Sequence, residues 1–149
     1  MQDPKEILRK SKKILLVDWP HPGTPRALLR GGFIVFCYSP NGYTKPELVD
    51  EYPQDANQKN IFPPKNKDDG YLVFRPLKSA PDSIDIVNVY RPEEEHEKII
   101  NNQVLPLKAK YFWLQPPIRS SNTKSLADRH GLIFIEGVDI AEIATGLSL

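Results

Sequence analysis

The side chains of this sequence that could do chemistry gather at a few turns, and each has a plain structural reading beside the chemical one. Gly23 and Thr24 precede Pro25, a pattern that sets backbone N–H groups and a hydroxyl at a helix N-terminus, where the dipole favours an anion. Arg26 stands beside them as a compensating cation; the alternative is an ordinary N-cap. Arg91 follows an apolar run. Its planar donors suit a phosphate, and they suit equally an ion pair with Glu93, Glu94 or Glu95. Asp18, His21 and Asp139 are the groups that acid–base catalysis would use if the fold gathered them. His96 reads as the edge of an apolar helix face and His130 as a cation at a helix C-terminus, which leaves His21 as the histidine for a site. There is no G-x-G-x-x-G, H-E-x-x-H or G-x-S-x-G, so a standard dinucleotide loop, a zincin and a hydrolase elbow are set aside. The single cysteine, Cys37, excludes an internal disulfide framework and a cysteine-based zinc site. Inside an apolar run it reads as a small buried hydrophobe, and its isolation fits a reducing, cytoplasmic compartment.

These groups matter only if secondary structure brings them together. The apolar runs Lys13–Val17 (KILLV), 33–37 (FIVFC), 84–89 (IDIVNV), Tyr111–Leu114 (YFWL) and 132–135 (LIFI) are short, β-branched or aromatic, and mostly continuous. Strands buried on both faces read this way, which predicts a parallel sheet covered by helices. Helical patterns lie between them: from Asp3-Pro4 to about Ser11, from Thr24-Pro25 to Arg30, from Pro92 past Ile100, from Asn122 to His130, and a short one from Ile140. The alternation predicts one α/β domain over residues 1–149, doubly wound, with these five runs in a mainly parallel sheet and helices on both faces. Ligands of such folds sit outside the carboxyl ends of the strands. Of fifteen prolines, Pro20, Pro22, Pro25, Pro40, Pro92, Pro116 and Pro117 fall at those ends, as stiff walls for whatever the edge holds. Residues 51–70 (EYPQDANQKNIFPPKNKDDG) have neither period and read as a surface-loop insertion, followed by a short edge strand at 71–74.

The order of these signals resembles the small CoA-binding domain family, Rossmann-like proteins related to the CoA-binding domain of the succinyl-CoA synthetase alpha subunit. Gly32-Phe33-Ile34-Val35 resembles the family's "GY-x-V" before the second strand, and Tyr38-Ser39-Pro40 its "V-N-P" exit. Ile84-Asp85-Ile86-Val87-Asn88-Val89-Tyr90-Arg91-Pro92-Glu93 is very similar to "IDIVDVFRRPE", and Ala109-Lys110-Tyr111-Phe112-Trp113-Leu114-Gln115 resembles "AKxVWLQ". The resemblance implies a Rossmann-like, mainly parallel five-stranded sheet that binds CoA or an acyl-CoA over its carboxyl edge. It implies ligand contacts from the first turn (Trp19, His21, Gly23, Thr24 and Arg26), from Tyr38, Ser39 and Pro40, from Arg91 and Pro92, and from Gln115 and Pro116. Phosphate would sit at the Thr24 helix N-terminus, with Tyr38 and Ser39 near the adenosine. Trp19 either covers an adenine or pantetheine arm or packs over the sheet edge, and packing is the favoured reading. The first turn departs from the family's "VG-x-S": Asp18 takes the glycine position and the segment to Gly32 is several residues shorter. A carboxylate there repels a pyrophosphate unless it faces away or hydrogen-bonds a ribose.

Three functions follow as expectations. The first is a nucleotide-binding module for CoA or an acyl-CoA without catalysis of its own. The second is a degenerate Rossmann scaffold acting through protein contacts, with a partner meeting residues 51–70. The third and weakest is a small enzyme using Asp18 and His21. A net charge of +1 argues against a nucleic-acid partner, and no apolar run approaches the ~20 residues of a membrane span.

Overall fold

The computed structural model describes residues 3–64, 66 and 69–147. Five parallel strands run side by side to one edge of its sheet: β1 (Lys13–Val17), β2 (Ile34–Ser39), β6 (Ile86–Val89), β7 (Tyr111–Leu114) and β8 (Ile133–Ile135). They arise from the five apolar runs, and their buried patterns show why those runs are continuous: every residue of β6 and β7 is buried. Ile14, Leu16, Val35, Ile86 and Trp113 face one layer, made by α1 (Pro4–Arg9), α2 (Gly23–Arg30) and α5 (Ile140–Gly146). Leu15, Val17, Val87, Phe112 and Leu114 face the other, made by α3 (His96–Ile99) with its continuation and by α4 (Ser121–Arg129). The Trp113 indole donates to the Val138 carbonyl at 2.9 Å, which satisfies a polar group that its burial would otherwise strand.

The sheet has eight strands rather than five. The order is β4-β5-β3-β2-β1-β6-β7-β8, and the three additional strands, β3 (Gly42–Val49), β4 (Ile61–Phe62) and β5 (Tyr71–Pro76), are antiparallel. The chain turns back at Pro40-Asn41 into Gly42, whose φ of +111° is open to glycine at little cost. Pro46 lies inside β3 opposite Phe74, where β5 is the strand's one partner, because β2 pairs only as far as Thr44. Proline is tolerated at such a half-paired site and not in a central strand. β5 is no edge strand: β3 covers one side of it and β4 the other at Leu72 and Val73. The segment 51–70 contains a 3-10 turn, Gln58–Asn60, besides β4; Lys65, Lys67 and Asp68 lie outside the described residues.

Caps account for most helix boundaries. Asp3 accepts from the Lys5 N–H ahead of Pro4, Ser120 from the Thr123 N–H, and Asp139 from the Ala141 N–H. Helix α2 differs from expectation. It starts at Gly23 with Pro22 as its cap residue, so Thr24 is inside the first turn rather than the N-cap. The segment after Pro92 is a 3-10 turn at Glu93–Glu95, then α3, then a π-helical stretch over Ile100–Val104. His96 is fully buried instead of at a face edge. Its Nε2 donates to the Arg91 carbonyl at 2.7 Å, and its Nδ1 lies 2.7 Å from the Thr123 hydroxyl.

Cys37, on β2, is buried, and burial pushes its thiol well above the usual range despite a hydrogen bond to Thr44. The folded thiol therefore stays protonated where an unfolded one, with a pKa of ~8.5, ionises. Stability is lost as pH rises past that value, by up to ~1.4 kcal/mol per pH unit until other groups intervene. Labelling of Cys37 by a thiol reagent at pH 8 is expected to follow global unfolding and to be negligible in the native protein. Rapid, stoichiometric labelling without denaturant would contradict its burial.

Candidate functional site

The chain leaves β1 for β2 on one side and later returns to β6 on the other, so the crevice beyond β1 is the point where strand order reverses. Asp18 is the first residue past β1. Its φ is +63°, a left-handed conformation that Asp tolerates better than most residues. Two hydrogen bonds hold the strand ends in line beneath it: Asp18 N–H to the Tyr38 carbonyl at 3.2 Å and Tyr90 N–H to the Val17 carbonyl at 3.0 Å.

The Asp18 carboxylate bridges this crevice. Oδ1 accepts from the Trp19 N–H at 2.9 Å, and Oδ2 accepts from Arg91 Nη1 at 3.0 Å. The other two nitrogens of Arg91 donate to Glu95, Nη2 at 2.6 Å and Nε at 3.1 Å. Glu95 and then Asp18 hold the guanidinium still more firmly protonated than an ordinary arginine. Above this group opens a cavity of about 230 Å³, with Tyr38, Ser39 and Pro40 on the β2 side and Asn102 and Gln103 opposite. Val17 and Ile99 supply apolar floor, and the charged lining is balanced: Asp18 and Glu95 against Arg91 and Lys98.

Asn102 and Gln103 were not legible as site residues. Helical spacing puts Ile99, Ile100 and Val104 on one face, but the π-helical stretch takes an extra residue per turn and brings both amides to the cavity. Gln103 is buried and hydrogen-bonds the Tyr43 hydroxyl, while Tyr43 packs on Tyr38 at 4.8 Å between ring centroids. Tyr38 is thereby fixed as one wall.

Of the residues expected to contact a ligand, Tyr38, Ser39, Pro40 and Arg91 line this cavity, and the rest do not. Trp19 stacks on Phe74, with centroids 5.3 Å apart and planes 13° apart, and packs against the core layer under α2. At the start of α2 the donors are already engaged by His21: its Nδ1 accepts from Gly23 N–H and its carbonyl from Thr24 N–H, both at 3.1 Å. Thr24 is buried, and its hydroxyl has no hydrogen-bond partner among the described residues. Arg26 is buried too. It donates to four carbonyls, those of Phe62, Pro63, Asp69 and Gly70, at 2.9–3.2 Å. Pro92 is exposed at the start of the 3-10 turn. Gln115 is buried, with Oε1 accepting from Asn88 Nδ2 and the Ile140 N–H, and Pro116 follows it in a cis peptide with Pro117. Asp18, His21 and Asp139 each have a separate partner: Arg91, the Gly23 N–H and the Ala141 N–H.

Residues 46–138 match the family model described as the CoA binding domain. The chain belongs to the CoA-binding domain family. The match begins inside β3, so β1, the Asp18 turn and α2 precede it, while the Ile86–Val89 strand, Arg91 and the π-helical stretch fall within it. Three solved structures share the fold of this CoA-binding domain. A protein from Thermus thermophilus is 18% identical over 98% of this chain and 99% of its own, with a TM-score of 0.64. A hypothetical protein from Pyrococcus horikoshii is 20% identical over 98% and 90%, at 0.61. Prb, a protein redesigned for binding, is 20% identical over 97% and 89%, at 0.65. No curated protein matches the chain. Among the described residues, no helix is long and apolar enough to cross a membrane.

Arg26 ties α2 to the antiparallel extension, and burial lowers its pKa from the usual arginine value even with Asp69 nearby. Arg26→Met keeps much of the apolar stem but leaves four carbonyls without this donor. The variant is expected to lose about 1–3 kcal/mol in urea unfolding and to be cleaved faster between 62 and 70 in limited proteolysis. Unchanged cleavage would show that the segment is held by other contacts.

Proposed function

We propose that this chain is a nucleotide-binding module, one unit over residues 1–149, that holds the nucleoside end of CoA or an acyl-CoA in the cavity beyond β1 and has no catalysis of its own. The observation that carries the reading is the cavity's place: it opens at the reversal of strand order, with Ser39, Pro40 and Arg91 on its wall. Its volume of about 230 Å³ lies below the ~300–1,000 Å³ usual for a whole small-molecule site, so it suits one end of an extended ligand. Tyr38, Pro40 and Ile99 give a base apolar walls, and Ser39, Asn102 and the Asp18–Arg91–Glu95 group give a sugar polar ones. Bound CoA supplies a thiol that carries acyl groups.

The residues fit the nucleoside end better than the pyrophosphate. The first N–H groups of α2 are taken by His21 and Arg26 is spent on carbonyls, which leaves the buried Thr24 hydroxyl as the α2 group without a partner. The scaffold reading draws support from the same Arg26 tie, which presents residues 51–64 as a fixed surface; in that case a partner is lost when the segment is replaced by a short turn. The reading as an enzyme using Asp18 and His21 has less support, since nothing joins the two side chains. The isolated, buried Cys37 suits a reducing, cytoplasmic setting.

CoA and acetyl-CoA at millimolar concentration are expected to raise the melting temperature, a hundredfold excess over Kd being worth ~2.7 kcal/mol. Asn102→Trp, at an exposed position on the cavity rim, is expected to abolish that shift and leave the ligand-free melting temperature unchanged. The absence of any shift in the native chain with CoA, acetyl-CoA or other adenine nucleotides rejects the nucleotide reading. A shift that survives Asn102→Trp moves the ligand to another place.

A further inference from the structure

The charge pattern of the cavity says which nucleotides it accepts, on the reading that it holds a nucleoside. Arg91 is the cation at the strand ends, and all three of its guanidinium nitrogens already donate to carboxylates, Nη1 to Asp18 and Nε and Nη2 to Glu95. Lys98 adds a second positive charge, on an exposed side chain at the rim. This half-exposed polar wall therefore offers oxygen acceptors: each Asp18 and Glu95 oxygen holds one or two hydrogen bonds and has lone-pair capacity left. Acceptors recruit donors. In a nucleoside whose base lies on Tyr38, Pro40 and Ile99, the groups that reach this wall are the ribose hydroxyls.

A phosphate on that ring meets the opposite situation. It would bring a charge of about −1.5 to −2 against two carboxylates. Turning Arg91 towards it would strip Asp18 of a cationic partner and Glu95 of a bidentate one. We infer that the Asp18–Arg91–Glu95 wall makes this cavity selective for adenosine nucleotides with free 2′ and 3′ ribose hydroxyls, and that it disfavours the 3′-phosphate carried by CoA itself. Asp18, the first residue past β1, is the specificity-determining residue, and Glu95 supports it.

Calorimetric titration of the full chain with dephospho-CoA, CoA, AMP and adenosine 3′,5′-bisphosphate tests this. Each ligand without the 3′-phosphate is expected to bind about tenfold tighter than its 3′-phosphorylated counterpart, close to the size of one like-charge contact at ~4 Å screened as in bulk water. Asp18→Asn retains a side chain that tolerates positive φ and removes the charge, and Glu95→Gln does so on a surface helix turn. In each variant the preference is expected to shrink to about threefold or less, with the melting temperature confirming a folded chain. Should Asp18→Asn not fold, Glu95→Gln alone decides the effect of charge. Equal or tighter binding of CoA than of dephospho-CoA by the native chain overturns the selectivity while leaving the nucleotide reading intact, and so does an undiminished preference in the folded variants. Binding of none of the four overturns the nucleotide reading and this inference with it.

Discussion

A parallel sheet buried on both faces leaves its strands nothing to offer but their ends. β6 and β7 are covered completely, so neither can present a side chain to a ligand along its length. Right-handed crossovers collect the carboxyl ends on one side, and the first residues beyond them carry whatever polarity the site has. In this chain Asp18 from the end of β1 meets Arg91 from just past β6, and that ion pair spans the place where the two directions of winding diverge. An exposed pair of this kind adds little to stability by itself. Its importance is positional: it sets the polarity of the cavity that the fold makes unavoidable.

Legibility followed the same division. The apolar runs at 13–17, 84–89 and 111–114 read as central strands, and they are, the second beginning only at Ile86. β3 could not be recognised, because Gly42–Val49 (GYTKPELV) mixes charge with a proline, and the strand is tolerated only because β2 stops pairing before Pro46. β4 is two residues long, too short for any period to show. Of the cavity lining, Tyr38, Ser39 and Pro40 follow from the family resemblance, and Arg91 also from its place after a strand. Asn102 and Gln103 do not, since a π-helical stretch changes the angle per residue and no pattern of residue types announces it. Arg26 looked like an anion's partner because carbonyl oxygens contributed by residues 62–70 leave no signature in sequence.

The proline excess resolves into separate tasks. Pro40 walls the cavity and closes the hairpin into β3, Pro22 caps α2, and Pro92 begins the 3-10 turn that sets Glu95 within reach of Arg91. Trp19, in the proline-rich turn, leaves the crevice open by lying flat on Phe74 instead of across the strand ends. Stiffness in the turns and openness at the edge are thus compatible, because the bulky side chain has an apolar seat on the antiparallel extension.

The clasp of one guanidinium on the carbonyls of Phe62, Pro63, Asp69 and Gly70 has a consequence for how this chain can drift. The two ends of the intervening stretch are fastened to the same side chain, so their separation does not depend on what lies between them. The entropy of closing such a loop grows only logarithmically with its length, about 0.6 kcal/mol for each doubling. Length variation there is inexpensive and leaves β5, Phe74 and the seat of Trp19 where they are. The fold thus keeps, a short distance from its crevice, a stretch where insertions cost little.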